Sequence, residues 1–215
     1  MQLACFDLDG TITRHDTLVP YVLGFLRSRP WRLAGAVGVL PAITRFAVGR
    51  ADHGALKEAF IRSTLGGSQR RELENWTQRF VPQLLGHGVF ADALAAIEAH
   101  RQQGDRLVLL SASTDLYVPA IGRALGFAQV LCTELRWQGD RLVGRLATPN
   151  RRGEEKVRCF MQLRAASPGL PSVAYGNASS DLPHLKLADR GVLVNGSQRA
   201  RRQAAQLGIE CASWR

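Results

Sequence analysis

The chain has 215 residues, 46% of them hydrophobic, and its 28 Lys and Arg against 18 Asp and Glu give a formal charge of +10. This length supports one sizeable core with room for one substantial insertion, and the composition excludes a disordered chain. The positive charge favours an anionic partner, whether a phosphorylated metabolite, an anionic lipid headgroup or nucleic acid.

Four widely separated cysteines form no CxxC pair, so we expect reduced thiols that are mostly buried. No cationic and apolar leader precedes the first predicted strand, which indicates a cytoplasmic protein.

The predicted elements change character along the chain. Residues 2–8 are an apolar run ending in Asp9-Gly10-Thr11, which predicts a buried strand followed by a loop. From Asp16 to about Gln103 the apolar spacing is helical, and Asp16-Thr17 is placed to cap the first helix. After Gly104, strands alternate with helices. We therefore expect an α/β fold with a doubly wound, mainly parallel core (1–13 and 105–215), and an all-helical cap (14–104) inserted after the first strand.

Within the second part, the stretches RLVLLSAS, SVAYGN and GVLVN are predicted strands. AQVLCTELRW and DRLVGRL, joined by Gln138-Gly139-Asp140, are predicted to form a hairpin.

The uncharged stretch Leu33 to Thr44 is flanked by arginines on both sides. It is shorter than the roughly 20 residues that span a bilayer, and Pro41 interrupts it. Two interpretations remain open: a buried helix of the insertion, or a helix lying in a membrane interface with arginines at the headgroups.

Polar side chains follow several predicted strands, where ligands bind in open α/β sheets. Two carboxylates (Asp7, Asp181) with the Asn177 amide form an oxygen-only donor set of the Mg²⁺ type. Lys156 and Ser111, with backbone N–H groups near Ala112, offer what a phosphate dianion needs. The combination, with Asp9 as a further exposed carboxylate, predicts phosphoryl transfer through an aspartyl-phosphate.

In order along the chain, DLDGT, the strand ending at Ser111, Lys156 in GEEKV, and YGNASSD resemble the four motifs of the haloacid dehalogenase superfamily, in its phosphoserine-phosphatase-like branch. That resemblance implies a Rossmann-like core and a Mg²⁺-dependent phosphatase. Asp7 would then be the nucleophile. Asp9 would be the acid and base, with its backbone carbonyl on the metal. Ser111 and Lys156 would hold the transferring phosphoryl group, and Lys156 would also orient Asp7. The expected phosphate site also includes Gly10, Thr11 and Ala112.

Motif four departs from the family pattern, because Asn177 stands where an Asp is usual. An amide oxygen still ligates Mg²⁺ but adds no charge, so either Asn177 or Asp181 could be the direct ligand. The expected metal set is therefore Asp7, Asp9, Asn177 and Asp181.

The substrate is less readable. Asp16 lies nine residues after Asp7, where phosphoserine phosphatases carry a carboxylate for the substrate's amino group, but Asp16 is equally placed as a helix cap. The arginine-flanked apolar stretch resembles phosphatidylglycerophosphatase C-type enzymes of the same branch and favours a lipid phosphate and peripheral membrane association. A small-metabolite phosphatase is the alternative within the enzyme class.

A non-catalytic basic protein that binds nucleic acid or phosphorylated partners is the alternative from another class. It is suggested by the basic run Arg199, Arg201 and Arg202, but no nucleic-acid-binding fold is recognisable.

Overall fold

A six-stranded sheet forms the centre of the computed structural model, which describes residues 1–215 apart from the side chains of Leu33 and Ala36. Its strand order is β3-β2-β1-β6-β7-β8, and every neighbouring pair is parallel. The strands are β1 (Leu3–Phe6), β2 (Arg106–Thr114), β3 (Gln129–Thr133), β6 (Ser172–Gly176), β7 (Arg190–Val194) and β8 (Glu210–Ala212), and a separate pair is β4 (Leu135–Gln138) and β5 (Arg141–Leu146).

Helices cover both faces of this sheet, so the predicted doubly wound α/β fold is confirmed. The helices of the chain are α1 (Leu18–Arg27), a 3-10 helix (Pro30–Val39), α2 (Leu40–Ala47), α3 (His53–Leu65), α4 (Arg70–His87), α5 (Ala91–Gln102), α6 (Val118–Ala124), α7 (Glu154–Ala165), α8 (Leu182–Leu187) and α9 (Gln198–Leu207), of which α5 to α9 contact the sheet.

Strand alternation divides the core into two layers. In β1, Leu3 and Cys5 face the layer formed by α7, α8 and α9, whereas Ala4 and Phe6 face the opposite layer. Strand β1 is therefore buried on both faces, which is typical of a parallel sheet. Cys5, Cys132 and Cys159 are buried, Cys211 is exposed, and all four are free thiols.

Between β1 and β2, the described backbone is helical and has no strand longer than a single bridge. The last of these helices, α5, packs on the sheet: His100 stacks edge-on to Phe6, and Ala93 and Ile97 are buried. The division into a core and an inserted cap stays a prediction, and this packing favours ending the cap before Ala91.

The predicted hairpin is wrong in its first strand. AQVLCTELRW divides at Glu134: residues 129–133 join the main sheet beside β2, and only residues 135–138 pair with β5. The pair β4–β5 is separate from the main sheet and packs against α3. Gly144, with a φ of +80°, permits this approach, because a Cβ there would lie 2.5 Å from the Arg62 Cα.

The stretch Leu33 to Thr44 falls on the 3-10 helix and α2. Among its described side chains only Val39 is buried, and α2 buries none. The interpretation as a buried helix is therefore wrong for the described side chains other than Val39. No described helix combines the length and apolar character needed to cross a membrane.

Candidate active site

The carboxyl edge of the sheet holds a cavity of about 180 Å³ directly after β1. Parallel strands end together at this edge, so the loops that follow them share one crevice. The cavity collects residues that are far apart in the chain: Asp7, Asp9, Asp16, Leu18, His53, Lys57, Ala112, Ser113, Asn150, Arg151, Arg152, Lys156, Asn177, Ala178, Ser180 and Asp181.

Lys156 links two buried carboxylates at the base of the cavity. Its Nζ donates to Asp7 Oδ1 at 2.6 Å and to Asp181 Oδ1 at 2.7 Å, and all three side chains are at least nine-tenths buried. Lys156 lies in the first turn of α7, which places it over the ends of β1 and β6. A buried ammonium shared by two carboxylates keeps both oxygens in fixed positions.

The charges in this group are interdependent. Burial raises the pKa of Asp7 to about 7, and the charges of Asp181 and Asp9 add to that effect while Lys156 opposes it. Burial also acts to raise the pKa of Asp181, but the charges of Lys156 and His184 hold this pKa below its usual value. Additional positive charge in the cavity would therefore stabilise the ionised form of Asp7 more than that of Asp181.

Asp9 is held in a fixed orientation by a different set of donors. Its Oδ1 accepts from the Thr17 N–H at 2.8 Å and from the Thr17 hydroxyl at 2.6 Å, and its Oδ2 accepts from the Ser113 hydroxyl at 2.6 Å. Burial raises the pKa of Asp9, and Asp16 raises it further, while these hydrogen bonds act against the shift. A raised pKa suits a carboxyl that must carry a proton during the reaction.

The predicted metal donors also meet at this edge. The Asn177 side chain lies over Gly10, since a Cβ at Gly10 would be 2.0 Å from Asn177 Nδ2. Asp181 Oδ2 accepts from the Asn177 and Ala178 N–H groups, which fixes the loop after β6. Within the described chain no three His, Cys, Asp or Glu side chains form a metal-binding cluster. A set of two carboxylates with amide and carbonyl oxygens does not require one, and it fits a hard cation such as Mg²⁺.

Only some of the predicted phosphate ligands line the cavity. Ala112 lines the cavity, whereas Ser111 is fully buried in β2 and its Oγ accepts from the Ser113 N–H at 3.0 Å. Thr11 is also buried, and its hydroxyl donates to Asp7 Oδ2 at 3.2 Å. Thr11 therefore contacts the expected nucleophile, and the phosphate-binding roles of Ser111 and Thr11 stay predictions.

Asp16 caps α1, since its Oδ1 accepts from the N–H groups of Leu18 (3.0 Å) and Val19 (3.3 Å). It also lines the cavity, so the helix-cap interpretation and a substrate contact are compatible.

Several cavity residues were not singled out by the sequence. His53 comes from α3, and Asn150 and Arg152 come from the loop after β5. Lys57 Nζ ties these regions together by donating to Asn150 Oδ1 at 2.6 Å and to the Ala112 carbonyl at 2.5 Å. Only a motif that linked α3 to the loop after β5 could have identified them, and the sequence contains no such motif.

Comparison with known proteins identifies a family and relatives of the chain. Residues 4–186 match the family of haloacid dehalogenase-like hydrolases. The chain is 32% identical to Protein CicA of Caulobacter vibrioides over 192 residues, which cover 87% of this chain and 83% of that protein.

Two solved structures share the fold. A Bordetella pertussis protein of unknown function has a TM-score of 0.81 at 23% identity, covering 98% of this chain and 97% of that one. A phospho-aspartyl intermediate analogue of phosphoserine phosphatase has a TM-score of 0.69 at 14% identity, covering 99% and 92%.

The family match extends over most of the chain and includes Asp7, Asp9, Lys156 and Asp181. The protein is an enzyme and belongs to the haloacid dehalogenase-like hydrolase family.

Proposed function

We propose that the protein is a Mg²⁺-dependent phosphomonoesterase that works through an aspartyl-phosphate on Asp7. The observation that carries this proposal is the pairing of Lys156 with Asp7 and Asp181 in the same cavity as the independently held Asp9. Burial raises the pKa of both carboxyls, but only Asp7 is held by an ammonium, that of Lys156, which favours its ionised form, whereas Asp9 is held by N–H and hydroxyl donors. These are the environments that a nucleophile and an acid require.

In the proposed reaction, an Asp7 oxygen attacks phosphorus in line, and the bond from phosphorus to the leaving oxygen breaks. Asp9 gives its proton to that oxygen. Asp9 then accepts a proton from water as the water attacks the acyl-phosphate, which releases inorganic phosphate and restores Asp7. Mg²⁺ held by Asp7, Asp181, Asn177 and the Asp9 carbonyl would supply charge neutralisation for the phosphate oxygens.

Release of phosphate from p-nitrophenyl phosphate with and without Mg²⁺ tests the reaction. We expect turnover in the wild type, and neither turnover nor a phosphoenzyme in Asp7→Asn. Asp9→Asn should form a phosphoenzyme slowly and then stall, because the second step lacks its base. A normal phosphoenzyme in Asp7→Asn would overturn the assignment.

For the substrate, we propose a lipid phosphate hydrolysed at a membrane surface. Trp31 is 70% exposed and Leu40 is 57% exposed, and Val37, Ile43 and Val48 are also exposed. No Asp or Glu lies between Asp16 and Asp52, whereas this part of the chain carries the arginines Arg27, Arg29, Arg32, Arg45 and Arg50.

This surface reaches the cavity through one contact: the Phe46 ring of α2 packs edge-on to His53 at a centroid distance of 4.8 Å. An apolar surface flanked by arginines, of which Arg29 is paired with Glu72, is complementary to an anionic lipid headgroup layer. The proposal thus places the opening of the cavity beside the membrane-facing helices.

Flotation with vesicles of anionic lipid tests this docking. We expect the wild type to float with the vesicles at low salt. A triple variant with Trp31→Ser, Leu40→Ser and Ile43→Ser should stay in the soluble fraction. A matched variant that replaces the exposed Met161 and Leu207 with Ser, on other surfaces, should float like the wild type. A wild type that fails to float at low salt contradicts membrane docking but leaves the phosphatase proposal intact.

A small amino-acid phosphate remains the second candidate, because Asp16 and Lys57 both line the cavity and could contact an amino and a carboxyl group. Phosphate release from phosphatidylglycerophosphate, lysophosphatidate, phosphoserine and sugar phosphates separates the two. Preference for phosphoserine would favour this candidate over the lipid.

A further inference from the structure

A fully buried tyrosine, Tyr117, lies next to the two hydroxyls that hold Asp9. Its phenol oxygen is 3.0 Å from Thr17 Oγ1, and a hydrogen bond with the Ser113 side chain also acts on its pKa. Burial, together with the charge of Asp9, raises the pKa of Tyr117 well above its usual value, so the phenol keeps its hydrogen. Tyr117 is therefore a neutral hydrogen-bonding group behind Asp9.

The number of hydrogens sets the direction of these hydrogen bonds. The Thr17 and Ser113 hydroxyls have one hydrogen each, and both donate it to Asp9, at 2.6 Å in each case. An ionised carboxylate is the stronger acceptor, so the Thr17 hydrogen is not available to the Tyr117 oxygen. The Tyr117 O–H is therefore the donor to Thr17 Oγ1. A hydroxyl that accepts on its oxygen is polarised into a better donor, so Tyr117 strengthens the hold of Thr17 on Asp9.

The two carboxyl oxygens of Asp9 have different numbers of donors. Oδ1 accepts from both the N–H and the hydroxyl of Thr17, which matches its two lone pairs. Among the described residues, Oδ2 accepts from the Ser113 hydroxyl alone, which leaves one lone pair. Asp9 and Ser113 both line the cavity. The remaining position on Oδ2 is therefore where Asp9 can carry a proton for transfer.

Aromatic packing fixes the position of the phenol. The Tyr117 ring packs on Tyr21 of α1 at a centroid distance of 4.7 Å and meets Phe80 of α4 edge-on at 5.7 Å. All three rings belong to the buried core. These contacts hold the phenol oxygen beside Thr17.

We propose that Tyr117 is a positioning residue for the acid step: through Thr17 and Ser113 it orients Asp9 so that Oδ2 is the oxygen that transfers the proton. The Oδ2–H bond breaks as the hydrogen passes to the leaving oxygen, whose bond to phosphorus breaks in the same step. Without the phenol, the buried Thr17 oxygen loses its donor, and the orientation of Asp9 loosens. This inference rests on the proposed phosphatase function, because it concerns the leaving group of that reaction.

Two aryl phosphates of similar shape test this role. p-Nitrophenolate leaves without needing a proton, whereas phenolate depends on the acid. We expect Tyr117→Phe to lower kcat/KM for phenyl phosphate by about tenfold, the equivalent of one hydrogen bond, and for p-nitrophenyl phosphate by less than about twofold. Equal losses for both substrates, or a loss for neither, would overturn the proposal, because damage to the fold lowers both rates alike.

Tyr21→Phe is the matched control. Tyr21 is also fully buried, and its hydroxyl pairs with Thr77 Oγ1 at 2.8 Å. The variant removes the same atom from the same aromatic packing, so it should keep the wild-type ratio of kcat/KM for the two substrates. The same change of ratio in Tyr21→Phe and Tyr117→Phe would trace the effect to the packing and overturn the role of the Tyr117 phenol.

Phosphoenzyme formation gives a second readout. An Asp9→Asn background has no carboxyl proton to position, so adding Tyr117→Phe should slow phosphoenzyme formation from phenyl phosphate by less than about twofold. A further decrease of about tenfold would contradict action through Asp9. A wild type that releases no phosphate from either substrate overturns the phosphatase proposal itself, whereas the other outcomes concern Tyr117 alone.

Discussion

At the scale of single residues, Gly10 shows how closely the loop after β1 approaches the loop after β6. Its φ of +75° favours glycine, and a Cβ would collide with Asn177. We expect Gly10→Ala to displace the Asn177 amide and to lower kcat/KM for a phosphomonoester by about tenfold or more.

Gly67→Ala is the matched control for this prediction. Gly67 has the same φ of +75° but has no atom within 4 Å of an added Cβ. Both variants should lose about 1 kcal/mol of unfolding free energy through backbone strain. Only Gly10→Ala should lose activity, and an equal loss in both would show that strain alone is responsible.

Asp115 should make the free energy of unfolding depend on pH. Burial raises its pKa from 3.8 to about 6, and its Oδ1 has no partner among the described atoms. Because the folded state binds the proton more tightly, the wild type loses stability as the pH rises from about 4 to about 6.

Asp115→Asn removes this titration. We expect the variant to exceed the wild type by about 1 kcal/mol at neutral pH, less than the full shift would give because the site is partly exposed. The advantage should vanish near pH 4, as measured by urea unfolding. A pH-independent difference between the two proteins would contradict this explanation.

At the scale of elements, a chain of buried and partly buried hydrogen bonds links α5 to the sheet. Asp105 accepts from the Gln2 N–H at 2.7 Å and pairs with His100 Nδ1 at 2.7 Å, and His100 Nε2 pairs with the Tyr175 hydroxyl at 2.9 Å. These contacts join α5 to the starts of β1 and β2 and to β6. They explain why α5 belongs with the sheet in packing, although it continues a run of helices in sequence.

We expect Asp105→Ala to lower the free energy of unfolding by about 2 kcal/mol at neutral pH, because buried donors lose their acceptor. Burial acts to raise the pKa of Asp105, but hydrogen bonds from His100 and Gln2 hold it below 3.8. The wild type therefore has this stabilisation above about pH 4 and loses it as the pH falls through the lower, folded-state pKa.

Denaturant unfolding at several pH values measures this loss. Asp140→Ala, at an exposed turn, is the charge-matched control and should change stability little. A deficit in Asp105→Ala that persists unchanged in strong acid would contradict the role of the carboxylate.

At the scale of the whole molecule, the charge of +10 should act on substrate capture. Screening shortens the Debye length from about 30 Å at 0.01 M salt to about 8 Å at 0.15 M. We expect kcat/KM for an anionic phosphate ester to fall several-fold over this range, while kcat at saturating substrate changes little, since buried pairs such as Lys156 with Asp7 are poorly screened. Steady-state kinetics at fixed Mg²⁺ would measure both, and a fall in kcat alone would count against long-range attraction.

Most chemical groups of the site could be predicted from the sequence because they stand at strand ends. Asp7, Asp9, Asn177 and Asp181 follow apolar runs whose hydrophobicity forces those strands into the core, and parallel strands end at one edge, whereas Lys156 lies in the first turn of α7. The same argument failed at Glu134, where a continuous β-forming run gave no sign that the chain leaves one sheet for another.

The amino-acid sequence by itself determined the α/β core and predicted the residues that carry the proposed chemistry, since each depends on local periodicity and on strand-end placement. The tertiary structure decided the surroundings of that chemistry: Lys57 on Asn150, Arg152 in the lining of the cavity, and α2 with its apolar side chains exposed. The contact of Lys57 with Asn150 joins segments 93 residues apart, and no local pattern encodes which surfaces meet.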